Sequence, residues 1–192
     1  NLILPEMEKS VYASRVYPET RQDLRKYATR TWVLDTMIPF IQKEFELLKP
    51  GDNNFVAGIS TGGRGAALIC LDNPQVFIKG ASLSGDFNQA GMSNDNLMKL
   101  YYGSFNSFKE RWTGNDNVYL NIQKFNVPFY LGHGKMDEVV PVSQSVDFYR
   151  GLKRVKKDLD VRLHVDSLAI HDYNYWQSEV DNILDFFEEL DN

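Results

Sequence analysis

The chain alternates short apolar runs with longer segments in which apolar residues recur every three or four positions. Runs of the first kind predict buried strands, and segments of the second kind predict amphipathic helices. The predicted strands are residues 2–4, 55–59, 76–83, 127–131 and 161–165. Because strand, helix and strand follow one another repeatedly, the pattern predicts an α/β fold with a mainly parallel sheet flanked by helices.

The predicted helices lie between and after these strands. Residues 31–49 carry one apolar face, and Pro39 within that segment predicts a kink. Residues 64–71 predict a helix rich in small residues, and Pro141 opens a further helix. The closing helix has an apolar face that consists of Tyr173, Trp176, Val180, Ile183, Phe187 and Leu190.

Two long segments lack a clear period. Residues 6–27 predict a surface loop. Residues 84–126 are rich in Gly, Asn and aromatic residues, and such insertions lie over the carboxyl ends of parallel strands, where ligands bind. We therefore predict one domain, residues 1–192, with a cap-like insertion around residues 86–122. The aromatic side chains of this insertion either line a substrate site or only attach it to the body; the candidates are Tyr101, Tyr102 and Trp112.

Composition and charge narrow the classes of protein. The 43% hydrophobic and 24% charged residues are ordinary for a soluble globular protein, either cytoplasmic or secreted. No apolar run approaches the roughly 18 residues of a membrane-spanning helix. The net charge of -5 argues against nonspecific binding to nucleic acid or anionic lipid. The single cysteine, Cys70, excludes an internal disulfide and predicts core packing in the helix of residues 64–71.

The most informative stretch is Gly58-Ile59-Ser60-Thr61-Gly62-Gly63, where a predicted strand turns into a predicted helix. A serine at such a corner, in the pattern G-x-S-x-G, is typical of the nucleophile elbow of α/β-hydrolases. Glycines two positions either side of Ser60 are expected because side chains there would collide. The alternatives are a plain tight loop or a phosphate cradle, and the second is disfavoured because no Gly-Lys-Ser/Thr follows.

A nucleophilic serine needs a histidine to accept its proton and a carboxylate to orient that histidine. Of the three histidines, His133 precedes an acid in one loop, and His164 lies within a predicted strand. His171 lies in the loop between the last strand and the last helix, where this fold needs its base.

Asp137 is the candidate acid, because it follows the penultimate strand and gives the chain order Ser, acid, His. Asp86, after the preceding strand, is the rival. Asp172 is a poorer candidate, because it is adjacent to His171 and neighbouring side chains point in different directions.

Several segments resemble one group of α/β-hydrolases: GISTGGRGAALI, ASLSGDF, GHGKMDEVVPVSQSVDFYRGL and IHDYNYW. The group contains esterase D, feruloyl esterases, mycolyltransferases of the antigen 85 type and S-formylglutathione hydrolases. The resemblance runs from about Leu2 to the C-terminus and implies Ser60 as nucleophile, Asp137 as acid and His171 as base. It further implies a serine carboxylic ester hydrolase that forms an acyl-enzyme on a small or sugar- or aryl-linked ester, with no metal or organic cofactor. It gives His133 no catalytic counterpart.

The resemblance also indicates what this sequence lacks. Related proteins have three strands before the one that residues 2–4 resemble, and a loop after the third supplies one backbone N–H of the oxyanion hole. The N–H of Thr61 supplies the other, and loss of one donor costs on the order of 100- to 1000-fold in rate. Because the chain starts at Asn1, we expect it to begin inside a larger product, with additional polypeptide completing the sheet.

Two further functions stay open at this point. An acyltransferase would use the same scaffold, with an alcohol in place of water in the second half of the reaction. A noncatalytic binding module that kept the fold is the alternative from a different class, and it is motivated by the missing strands.

Overall fold

Four parallel strands form the sheet in this computed structural model, which describes residues 1–189. The strands are β1 (Asn54–Ile59), β2 (Phe77–Leu83), β3 (Phe129–Gly134) and β4 (Val161–Asp166). They lie in the order β1-β2-β3-β4, and each neighbouring pair is parallel. The prediction of a mainly parallel sheet is confirmed, and each strand lies beside the next one in the chain.

The register of the strands brings their carboxyl ends to one edge of the sheet. Ile59 lies opposite Leu83. Leu83 lies opposite Gly132, which in turn lies opposite His164. The loops that follow the four strands therefore begin at the same edge, where parallel sheets place their functional residues.

Helices and turns connect and cover the strands. The helices are α1 (Thr29–Trp32), α2 (Ile38–Phe45), α3 (Thr61–Asp72), α4 (Asn96–Tyr102), α5 (Lys109–Trp112), α6 (Ser143–Val155), α7 (Tyr173–Ser178) and α8 (Val180–Glu188). Short 3-10 helices cover Gln22–Leu24, Gln89–Met92 and Tyr119–Lys124. The predicted closing helix is interrupted at Glu179, and Leu190 of its predicted apolar face lies outside the described residues. Among residues 1–189, no helix has both the length and the apolar character that crossing a bilayer requires.

A π-helical turn, Val33–Met37, joins α1 to α2. Pro39 is the second residue of α2 and has no N–H to donate to the preceding turn, so the irregularity predicted there takes the form of this wider turn. The helix ends at Phe45 rather than at residue 49. The reason is that Glu46 has a left-handed backbone, with φ of 56°, which cannot continue a right-handed helix.

Apolar side chains cover both faces of the sheet. On one face, α3 and α6 pack against Phe129 and Leu131 of β3. On the other face, α8 packs against Ala81 and Tyr130. Cys70 is fully buried in the first cluster, which confirms its predicted packing role.

Residues 6–27 form the irregular and partly exposed segment that their lack of period predicts, but the apolar side chains of this segment are buried. Its apolar side chains form a second buried cluster with α4 and α5; the cluster contains Val11, Ala13, Tyr17, Leu24, Met98, Tyr101, Tyr102 and Trp112. Side chains rather than a strand ladder hold its backbone, since the carboxylate of Asp116 accepts hydrogen bonds from the Ser14 N–H at 3.0 and 3.1 Å. The Arg30 guanidinium pairs with the same carboxylate at 2.9 Å. Apolar side chains held in this way are buried without any periodic pattern in the sequence.

The prediction of a strand at residues 2–4 is wrong. These residues make no strand, and Leu2 and Leu4 are 82% and 81% exposed. The outer edge of β1 has no paired strand within residues 1–189, so nothing gives residues 2–4 a ladder of hydrogen bonds.

Candidate active site

Ser60 stands at the corner between β1 and α3, with backbone angles φ 55° and ψ -126°. This conformation is strained for a residue with a side chain, and such strain persists only where the surroundings enforce it. The Ser60 N–H donates to the Leu83 carbonyl at 2.8 Å, and the Ser60 carbonyl accepts from the Gly63 N–H at 2.8 Å. Strand β2 and helix α3 therefore fix the corner from both sides.

Gly58 and Gly62, the two glycines that flank this corner, differ in whether a side chain would fit at their position. A Cβ at Gly58 would lie 2.0 Å from the Gly62 carbonyl oxygen, so no side chain fits there. A Cβ at Gly62 would meet only the hydroxyl of Tyr12, at 3.9 Å, which is an ordinary contact. The expected collision thus exists at Gly58 and is absent at Gly62.

His171 lies in the loop between β4 and α7, and its two ring nitrogens face two different elements. Its Nε2 lies 3.1 Å from the Ser60 Oγ, across 111 positions of sequence. Its Nδ1 lies 2.6 Å from Oδ2 of Asp137, across 34 positions. The ring of Trp176 packs edge-on against the imidazole, with centroids 5.1 Å apart, and limits its rotation.

Asp137 lies in the turn after β3, and its side chain is fully buried. Its Oδ1 accepts hydrogen bonds from the N–H groups of Val139 at 2.9 Å and Val140 at 2.8 Å. Its Oδ2 faces His171. These hydrogen bonds compensate the carboxylate for its lost hydration.

The hydrogen bonds assign the proton on the imidazole of His171. A carboxylate only accepts, so Nδ1 of His171 carries the hydrogen that Asp137 accepts. Its Nε2 then holds a lone pair directed at the Ser60 hydroxyl. An arrangement of this kind can remove the hydroxyl proton while the carboxylate stabilises the resulting imidazolium.

The sequence indicated no role for His133, which is fully buried beside Asp137. Its Nε2 donates to the Val140 carbonyl at 2.9 Å and lies 3.4 Å from Oδ2 of Asp137. Its Nδ1 accepts from the Ser145 hydroxyl at 2.7 Å. Burial lowers the pKa of His133, so the neutral ring connects the acid-bearing turn to α6. The usable signal in the sequence is its position at the end of β3, a strand whose every residue is buried.

The rival candidates from the sequence have other partners. Asp86 forms a buried ion pair with Arg64 at 2.9 Å, and burial raises the pKa of its carboxyl. Asp172 caps α7 by accepting the Tyr175 N–H at 2.9 Å. His164 is half-exposed and pairs with Glu179 at 2.7 Å.

Thr61 is the first residue of α3, so no carbonyl of that helix can accept its N–H. The positive end of the helix dipole lies at the same point and favours negative charge beside Ser60. The N–H of Thr61, which the sequence predicts to be one donor of an oxyanion hole, therefore lies at the start of α3.

The structure puts the expected substrate-lining aromatics in the core. Tyr101 is 3% exposed, and Tyr102 and Trp112 are fully buried in the second cluster. The Tyr101 hydroxyl donates to the Arg15 carbonyl at 3.2 Å, and the Trp112 indole donates to the Gly103 carbonyl at 3.2 Å. Their contacts are those of packing residues, which attach the insertion to the body.

Apolar side chains instead lie exposed on the two loops that carry Asp137 and His171. We call this set the apolar rim: Met136, Val139, Leu168, Ile170 and Tyr173, which are 51% to 84% exposed. The Met136 N–H donates to the Ala169 carbonyl at 3.0 Å, so the two loops lie side by side. No group of three or more potential metal ligands (His, Cys, Asp or Glu) occurs within residues 1–189.

Solved structures share this architecture at low sequence identity. The fluorophosphonate-binding serine hydrolase F of Staphylococcus aureus matches with a TM-score of 0.71 and 20% identity, over 95% of this chain and 69% of that one. An S-formylglutathione hydrolase of the same organism matches with a TM-score of 0.70 and 21% identity, over the same shares of the two chains. The Pyrococcus horikoshii acylaminoacyl peptidase matches with a TM-score of 0.65 and 18% identity, over 81% of this chain and 26% of that one. These likenesses show the α/β-hydrolase fold.

The chain spans only about a quarter of the length of the acylaminoacyl peptidase and about two thirds of the other two structures. No curated protein matches it significantly in sequence. The model of the family described as "putative esterase" matches residues 4–187. That match covers nearly the whole chain, and the protein therefore belongs to the putative esterase family.

Proposed function

We propose that the protein is a serine carboxylic ester hydrolase in which Ser60 is the nucleophile, His171 the base and Asp137 the acid. The observation that carries the proposal is the chain of two hydrogen bonds, 3.1 Å from Ser60 Oγ to His171 Nε2 and 2.6 Å from His171 Nδ1 to Asp137 Oδ2. Membership of the esterase family supports the same chemistry.

The first half of the reaction forms an acyl-enzyme. Ser60 Oγ attacks the ester carbonyl carbon as its proton moves to His171 Nε2, and the carbonyl oxygen becomes an oxyanion. When the tetrahedral intermediate collapses, the bond to the alcohol breaks and His171 gives its proton to the leaving oxygen. The acyl group then remains on Ser60.

The second half of the reaction releases the acid. His171 takes a proton from water, the hydroxide attacks the acyl carbon, and the bond to Ser60 Oγ breaks as the proton returns to that oxygen. In both halves the buried carboxylate of Asp137 stabilises the imidazolium and the N–H of Thr61 stabilises the oxyanion. No step of this scheme uses a metal or organic cofactor.

The apolar rim supports a small or sugar- or aryl-linked ester with at least one apolar group. Ile170 comes directly before His171, Leu168 lies three positions before it, and Val139 lies two positions after Asp137. Large apolar side chains left this exposed beside a reactive group gain free energy when an apolar ligand covers them, by about 25 cal/mol for each Å² buried.

We also propose that additional polypeptide pairs with the outer edge of β1. Ala57 and Ile59 are exposed on that strand, which carries no charged residue or proline between Phe55 and Ile59 to block pairing. An added strand would cover these side chains and satisfy the backbone groups of the edge.

The test of the proposed function is Ser60→Ala, assayed on p-nitrophenyl butyrate beside Ser107→Ala as a control at an exposed serine. We expect a loss of about a million-fold in kcat for the first variant, because the three residues act as a unit. A fluorophosphonate probe should label the wild type and the control and leave Ser60→Ala unlabelled. Turnover or labelling of Ser60→Ala at wild-type levels would contradict the assignment, and an unlabelled wild type would favour a noncatalytic binding module.

A further inference from the structure

Tyr12 lies along helix α3 beside the nucleophile. Atoms of its ring occupy the space 2.5 Å from where a Cβ of Gly65 would lie, and its hydroxyl is 3.9 Å from where a Cβ of Gly62 would lie. The ring thus runs from the second turn of α3 back to the first, with the hydroxyl at the end that carries Ser60 and Thr61.

The hydroxyl of Tyr12 has no hydrogen-bond partner within residues 1–189, although the ring is half-buried. The hydroxyl is not among the fully enclosed polar atoms that lack a partner, so a ligand beside α3 can reach it. Burial raises the pKa of Tyr12, so its hydroxyl stays protonated and remains a donor.

Contacts on both sides fix the backbone at Tyr12. Its N–H donates to the Ser10 hydroxyl at 3.0 Å, and that hydroxyl donates to Thr29 Oγ1 at 2.6 Å. Arg64, itself buried and paired with Asp86, donates to the Val11 carbonyl at 2.6 Å.

The backbone of Tyr12 is strained, with φ of 48°. Strain of this kind persists where the surroundings determine one position for a side chain, and it is common at functional sites.

We propose that the Tyr12 hydroxyl is the second donor of the oxyanion hole, opposite the N–H of Thr61. The proposal rests on the proposed function, since an oxyanion arises only when Ser60 attacks a carbonyl. Tyr12 donates a hydrogen bond and keeps its proton, so the covalent steps are unchanged. The group of hydrolases that this sequence resembles takes the second donor from a preceding loop, and the present chain would supply it from a side chain of its own.

The experiment compares Tyr12→Phe with Tyr149→Phe, which removes the hydroxyl of a half-buried tyrosine on α6. The steady-state constants are measured on p-nitrophenyl butyrate and expressed per fluorophosphonate-labelled Ser60, so that only folded enzyme counts. For Tyr12→Phe we expect kcat to fall by about 100- to 1000-fold while KM stays within a few-fold, because an oxyanion donor acts in the transition state. Tyr149→Phe should keep wild-type kcat.

A second readout uses a trifluoromethyl ketone, which forms an oxyanion on Ser60 without turnover. The inhibition constant of this ketone should rise in Tyr12→Phe by a factor similar to the loss in kcat. A kcat within threefold of wild type would overturn the proposal and favour a donor from additional polypeptide. A change in KM alone would also overturn it and make Tyr12 a substrate contact. Either result leaves the Ser60→Ala test intact, so the failure of this inference is separable from failure of the proposed function.

Discussion

His171 and Asp137 are joined by a hydrogen bond of 2.6 Å between Nδ1 and Oδ2, and the carboxylate has no exposed surface. The bond fixes both the orientation and the proton of the imidazole. An amide at position 137 could still accept from Val139 and Val140, but its NH₂ group would face the Nδ1–H of His171.

Asp137→Asn should therefore leave the protein folded and lower kcat by about 10,000-fold, because the base is held in the wrong tautomer. The measurement is kcat for a p-nitrophenyl ester beside the thermal midpoint. Glu138→Gln removes an exposed carboxylate one position away and serves as the matched control. A loss below tenfold for Asp137→Asn would contradict the role of the acid.

His133 predicts a specific pH dependence of stability. Burial lowers its pKa in the folded protein, so below the ordinary histidine value of about 6.5 the unfolded chain binds more protons than the folded one. This group therefore destabilises the fold progressively as the pH falls through that value.

His133→Gln keeps a donor for the Val140 carbonyl and removes the titration. At neutral pH the unfolding free energy of the wild type should exceed that of His133→Gln by about 1–3 kcal/mol. This difference in unfolding free energy should narrow from pH 7 to pH 5. Urea unfolding at several pH values measures it. Since all other groups are shared, a gap that is constant or widens on acidification would refute the account.

The elbow glycines predict opposite outcomes for one substitution. Gly58→Ala should lower the unfolding free energy by about 1–3 kcal/mol or more, because its Cβ would overlap the Gly62 carbonyl. Gly62→Ala should be neutral or stabilising by up to about 1 kcal/mol, because its Cβ has room and alanine favours the helix. Thermal unfolding of the two variants compares them directly, and equal destabilisation would contradict the structure.

The apolar rim predicts a preference among substrates. In the wild type, kcat/KM should rise from p-nitrophenyl acetate to p-nitrophenyl hexanoate by up to about fourfold for each fully buried CH₂. Leu168→Ser should make this rise smaller. Leu184→Ser, at an exposed leucine of α8, is the control. An unchanged chain-length series in Leu168→Ser would remove this residue from substrate binding.

The strands were predictable because each of β1–β4 forms a short apolar run, and the parallel order followed from the helices between them. The burial of the apolar side chains in residues 6–27 was not predicted, because it depends on individual contacts, such as Asp116 with Ser14, that leave no periodic pattern. Tyr102 was misassigned for a similar reason, because an aromatic residue in a stretch without a hydrophobic period can equally well pack in a core or line a pocket.

Within the candidate site, the sequence indicated the three residues that the structure brings together, because each follows the carboxyl end of a strand. It missed His133, whose partners are a backbone carbonyl and a serine on α6. Hydrogen bonds of this kind depend on tertiary geometry, so residue spacing cannot reveal them. The difference between Gly58 and Gly62 was invisible for the same reason.

The strand order also has a consequence for synthesis of the protein. Because each strand adds beside the one made just before it, a chain emerging from the ribosome can extend the sheet outward from β1 without rearrangement. Ser60 is placed with β1, whereas His171 arrives only with the loop after β4. If the proposed roles hold, a chain that ends before this loop would carry the proposed nucleophile without its proposed base, and reactivity of Ser60 would report that β4 and the loop after it have docked.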